Sequence, residues 1–139
     1  MAVRVDVVYE GGLHCVAKHE PSGHEIATDA PVDNHGKGEA FSPTDLLAAA
    51  IGTCTVTIMG IAAQKHGIDI AGTTVRVLKS MVADPARRIG KLDVTITLPR
   101  ALPSDQRTLL ENAARTCPIH KSLHPSVEAP VTFVYPDAR

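Results

Sequence analysis

The sequence predicts an α+β fold, and three observations predict it. Three short strand-like runs open the chain, the first cleanly alternating, separated by turns that carry Gly and Pro. A long apolar run, Phe41–Ala63, follows behind a helix-start signal. Two more alternating runs, a second helical pattern and a last strand complete the order β-β-β-α-β-β-α-β. Most strands are joined as hairpins, so the sheets are expected to be mainly antiparallel, with the long helix buried at the centre.

The elements follow in order. Ala2–Glu10 alternates, with Val3, Val5, Val7 and Tyr9 on one face and Arg4 and Asp6 on the other, which predicts a half-buried strand. Gly11-Gly12 turns the chain, and Leu13–His19 returns as a hairpin strand. Pro21-Ser22-Gly23 is a second turn, His24–Thr28 a third strand, and Asp29–Ala40 a loop rich in Pro, Asp, Asn and Gly. Ser42-Pro43-Thr44-Asp45 starts the first helix. Ser42 caps it, Pro43 suits a first helical position whose N–H would be unbonded anyway, and Asp45 completes a capping box. Lys65-His66-Gly67 ends it.

Thr73–Val82 and Ile89–Leu98 alternate again and predict a hairpin, with Leu92, Val94, Ile96 and Leu98 on one side. Its connection is a turn at Asp84-Pro85 or a longer loop through Arg88. Pro99–Pro103 breaks the chain. Ser104 caps a second helix that buries Leu109, Leu110, Ala113 and Ala114. Val127–Tyr135 is the last strand, and Pro130 places it at an edge or marks the strand's beginning. The first three strands have no cover of their own, which points to a dimer.

Composition narrows the function. The 139 residues suit one domain, 1–139, with a real core, and 44% hydrophobic and 21% charged residues fit a soluble globular protein. Net charge is −1 and Lys and Arg are scattered, which argues against nucleic acid as a partner. Aromatics make up 3%, leaving Tyr9, Phe41, Phe133 and Tyr135 as the only candidates for base stacking. Three cysteines do not make a disulfide framework, and the opening residues run straight into a strand pattern rather than a signal peptide. A reducing, cytoplasmic setting is expected, where paired thiols are more often catalytic or metal-binding. Leu46–Ala63 reaches the length of a membrane span, but its Ala, Thr and Gly suit close packing, so it reads as a helix buried nearly all round and no membrane partner is expected.

Three cysteines and seven histidines are the candidates for chemistry. Pro118 stops or kinks a helix that arrives from Ser104. Cys117 then either opens a new helical turn, where free amides favour a thiolate, or closes the old one, where the dipole opposes it. Cys54 lies about three turns into the first helix and reads either as a small buried hydrophobe or as a reactive thiol. Cys15, on a strand, reads as incidental. The histidine spacings (His14, His19, His24; His120, His124) match no recurring zinc pattern, and neither a metal nor another cofactor is expected. A Cys–His hydrolase built on Cys54 and His120 is a further reading, without an evident oxyanion hole or orienting third group.

The run Phe41-Ser42-Pro43-Thr44-Asp45-Leu46-Leu47-Ala48-Ala49-Ala50-Ile51-Gly52-Thr53-Cys54, followed far downstream by Cys117-Pro118-Ile119-His120-Lys121-Ser122-Leu123, resembles the OsmC/Ohr family of osmotically inducible and organic hydroperoxide resistance proteins. The resemblance implies an OsmC-like α+β fold in an intertwined homodimer with two active sites at the subunit interface. It implies a thiol-dependent peroxidase acting on organic hydroperoxides in oxidative or osmotic stress defence. Cys54 would be the peroxidatic cysteine and Cys117 the resolving one, with an external dithiol as reductant. Two positions depart from the family's best-known pattern. Its arginine from the N-terminal strands has no counterpart in Leu13–Ala40, whose cations are Lys18, Lys37 and the histidines. Its glutamate after the helix-start proline is Thr44 here, with Asp45 next as a supporting acid or simply a cap, and Glu39 as a weaker substitute. The chain therefore resembles the general OsmC-like branch rather than a typical Ohr. The alternatives are an OsmC-fold protein of weak or no peroxidase activity that binds a hydrophobic ligand, or the Cys–His hydrolase.

Overall fold

Strands form where side chains alternate. The computed structural model describes residues 1–137, in two units, Met1–Leu47 and a second that begins at Ala48. In the first, β1 (Val5–Gly11), β2 (His14–His19) and β3 (Glu25–Asp29) form an antiparallel sheet in that order. The register sets Val7 opposite Ala17, Tyr9 opposite Cys15 and Ala17 opposite Ile26, so these apolar side chains share one face. The strand is as expected, but its burial is not. Val5, Val7 and Tyr9 are 56%, 62% and 62% exposed, because no element of this unit lies on that face. Asp29, at the end of β3, is buried and ties the following loop back by accepting the Glu39 N–H at 3.1 Å.

The helix α1 (Pro43–Lys65) starts as the capping box requires. The Asp45 N–H donates to Ser42 Oγ at 3.0 Å, and the Ser42 N–H donates to Asp45 Oδ2 at 2.9 Å. It ends at Gly67, whose φ of +64° is free to a residue without Cβ, and the Ile68 N–H closes onto the Ala63 carbonyl at 2.9 Å. The buried residues Ile51, Gly52, Thr55, Met59 and Ala63 form one stripe. The helix thus buries a stripe rather than its whole circumference, and Ile61 is 47% exposed. By length and composition α1 could cross a membrane, a test that core helices of soluble proteins also pass.

In the second unit β4 (Thr74–Val82) and β5 (Arg88–Thr97) form the antiparallel hairpin, and β6 (Val131–Val134) adds to β5 in parallel as an edge. Leu92, Val94, Ile96 and Leu98 are all buried, as their alternation requires. Gly52 lets α1 lie close on this sheet, since a Cβ there would meet Val77 Cγ2 at 3.1 Å. Pro130 immediately precedes β6, and its carbonyl accepts the Val94 N–H at 2.9 Å.

A parallel β5–β6 pair needs a crossover. Here it carries α2 (Ser104–Ala114) and α3 (Pro118–Ser122). Pro103 occupies the cap position of α2 with no side-chain bond, so Ser104 is the first helical residue rather than the cap. Leu110 and Ala114 are buried, and Tyr135 Oη donates to Glu111 Oε2 at 2.8 Å, holding α2 to the segment after β6.

Candidate functional site

Two local rules bring the thiols to one place. The buried stripe of α1 includes Thr55, so its neighbour Cys54 sits at the stripe's edge, half-buried. Pro118 cannot continue α2, which ends at Ala114, and it opens α3 at the first helical position. Cys117 is therefore the N-cap of α3, which decides between the two positions the sequence left open. It is 0% exposed. Cys54 and Cys117 are near enough for each thiol to act on the other's ionisation, and both are free.

The two thiols titrate in opposite directions. Burial pushes Cys54 up, the Ile119 amide opposes this, and the neighbouring Cys117 sulfur raises it further. Burial also acts to raise Cys117, but it is outweighed by the His120 amide, the Cys54 thiol, the Thr55 hydroxyl and the Ile119 amide, which leave it below the ordinary thiol value. Cys117 closes no full capping hydrogen bond, so the amides act by pointing at the sulfur. The groups that favour the charge are neutral donors.

Sequence reasoning missed Thr55. It is 1% exposed, and its hydroxyl donates to the Ile51 carbonyl at 2.7 Å while also facing Cys117. A hydroxyl directly after a cysteine in an apolar helix is the only local signal, and it acquires meaning only when α3 arrives. His120 reaches the thiols through its main-chain N–H. Its side chain is exposed and lines a cleft of about 280 Å³ with Ala114, Arg115, Ala129, Val131 and Phe133.

The remaining predicted residues lie in the first unit. The Asp45 carboxylate is engaged in the capping box. Among the basic residues of Leu13–Ala40, His14 is paired, with Nδ1 2.5 Å from Asp29 Oδ1 and Nε2 3.6 Å from Glu10 Oε1. Cys15 lies on the apolar face of β1–β2–β3.

Comparison with known proteins shows the family of the chain. Residues 36–131 match the family model described as OsmC-like protein. A Psychrobacter arcticus 273-4 protein, described as an osmotic stress induced and detoxification response protein, is 49% identical over 93% of each chain, with a TM-score of 0.88. At the level of the fold, the chain is similar to an organic hydroperoxide resistance protein of Elizabethkingia anophelis, with 16% identity, coverage of 98% and 97%, and a TM-score of 0.78. It is likewise similar to OhrB of Bacillus subtilis, with 16% identity, coverage of 96% and 98%, and a TM-score of 0.71. No curated protein matches. The motif around Cys54, the motif around Cys117 and the whole-chain similarity agree: the chain belongs to the OsmC-like protein family.

Proposed function

We propose that the protein is a thiol-dependent reductase of organic hydroperoxides, acting in the cytoplasm as a homodimer in defence against oxidative or osmotic stress. Membership of the OsmC-like family and the organic hydroperoxide resistance proteins among its structural neighbours support a redox role in stress. The observation that carries the finer reading is the pair itself: a half-buried thiol beside a fully buried one.

Access supports Cys54 as the peroxidatic and Cys117 as the resolving cysteine. A hydroperoxide can meet Cys54, whereas the enclosed Cys117 can meet only Cys54. The Cys54 sulfur attacks the distal peroxide oxygen, the O–O bond breaks, alcohol leaves and a sulfenic acid remains. Cys117 then attacks that sulfur and displaces water, giving a Cys54–Cys117 disulfide. An external dithiol restores both thiols by exchange. Asp45 supports the site by fixing the helix start from which Cys54 is counted.

Consumption of an organic hydroperoxide by three forms of the protein tests this. Cys54→Ser is expected to abolish it. Cys117→Ser is expected to give one turnover and then a sulfinic acid. An unchanged rate in Cys54→Ser contradicts the mechanism. The cleft beside His120 supports a second reading, a binder of small apolar ligands with slow thiols. Turnover of activated esters that survives Cys117→Ser would identify a hydrolase instead.

A further inference from the structure

We propose that the cleft bounded by the end of α2, α3 and β6 binds a small organic anion, a carboxylate with a short apolar tail. Neither Cys54 nor Cys117 lines it, so it is a site apart from the thiols and stands whether or not they reduce peroxides.

The chain leaves this cleft for a local reason. The parallel register sets Val131 beside Val94 and Phe133 beside Ile96, on the core face of the sheet. Val94 and Ile96 are fully buried, but Val131 and Phe133 are only half-buried. They sit on the edge strand, and the helical layer beside it is interrupted. The helix α2 ends at Ala114, and Pro118 can only start α3 afresh. The gap has a volume of about 280 Å³. That is room for about nine atoms the size of a water molecule.

The lining divides by chemistry. Ala114, Ala129, Val131 and Phe133 are buried or half-buried and give an apolar floor. Arg115 and His120 are exposed and form the rim. Among the described residues no carboxylate pairs with Arg115, whose Nη1 donates only to the neutral Asn112 Oδ1, at 3.3 Å. Glu111, one turn back on α2, already accepts Tyr135 Oη at 2.8 Å. A cation suits the C-terminus of α2, but that role uses the charge of Arg115 and leaves most of its donors open. A guanidinium fork matches the two oxygens of a carboxylate. The His120 ring offers an N–H in either ionisation state. An apolar cleft with a few convergent polar groups is the usual form of a small-molecule site. A cationic ligand would face Arg115, and a neutral apolar one would cover the floor while leaving the fork to water.

Benzoate fits the volume and is the probe; benzamide is its neutral isostere and benzylammonium its cationic counterpart. Each is titrated into the full chain in a buffer free of carboxylates and followed by NMR. Benzoate is expected to shift the methyl signals of Ala129 and Val131 and the ring signals of Phe133 saturably. Its affinity should exceed that of benzamide about tenfold, the difference between a hydrogen bond to a charged group and one to a neutral group. Benzylammonium should leave these signals in place. Arg115→Gln is expected to lower benzoate to the level of benzamide. Ala129→Leu fills the floor while keeping Arg115, and should abolish binding of both. The exposed position of Arg115 keeps the test independent of whether Ala129→Leu folds. Equal affinity for benzoate and benzamide overturns the proposal, as does unchanged benzoate binding in Arg115→Gln. Signals that do not move, or move only outside the cleft, also overturn it, including the case in which a second copy of the chain closes the cleft.

Discussion

At the scale of residues, the first unit carries an electrostatic clasp of its own. The hydrogen bond between His14 and Asp29 raises the imidazole and lowers the carboxyl, with Glu10 and Glu39 adding to the first and Lys37 to the second. A raised imidazole adds stability that is complete below its unfolded value of 6.5 and fades as pH rises through the folded one. A lowered carboxyl adds stability that is complete above 3.8 and fades as pH falls through the folded value. The clasp is therefore complete between pH 3.8 and 6.5. Asp29 also holds the Glu39 N–H, so the loop after β3 shares in it. Thermal melts at about pH 5.5 and about pH 8, either side of the ordinary histidine range, check this. His14→Gln should lose stability at the lower pH and change little at the higher. An equal loss at both would mean that His14 acts through packing.

At the scale of elements, periodicity and caps carried most of the information. The hairpin β4–β5 was legible because Leu92, Val94, Ile96 and Leu98 must all face inward, and they do. Both ends of α1 were legible because Ser42, Pro43, Asp45 and Gly67 each have a backbone reason to be there. The start of α2 was not, because Pro103 fixes the backbone that Ser104 was expected to cap. The position of Cys117 was half legible: Pro118 announces a break, but whether the cysteine ends one helix or opens the next depends on where α2 stops. The nearness of Thr55 to Cys117 was invisible, since it depends on a crossover between parallel strands that brings α3 back to α1. Local rules name the thiols; only tertiary structure supplies the donors around them.

At the scale of the whole molecule, exposed apolar surface needs an owner. Val5, Val7, Tyr9 and Ile26 share one face of β1–β2–β3, and all are more than half exposed. Full burial of such side chains is worth roughly 1.5–3 kcal/mol each, and a monomer rarely leaves a contiguous apolar face open. A second copy is the proposed owner, in keeping with the homodimer that the family resemblance implies. Sedimentation should give twice the chain mass, and Val7→Asp should shift it toward the monomer. A monomer at micromolar concentration would remove the dimer from the proposal.

The central claim is that Cys54 and Cys117 form one redox unit. Intact mass and free-thiol counting on reduced protein, after one equivalent of an organic hydroperoxide or of hydrogen peroxide, tests it most directly. The account predicts rapid loss of two thiols and about two mass units per chain, the net change of one thiol pair closing to a disulfide. Peptide mapping should place the link between Cys54 and Cys117, and the organic peroxide should react faster. Thiols that stay reduced for many minutes, or a link that involves Cys15, would contradict the claim and turn attention to what the cleft beside His120 binds.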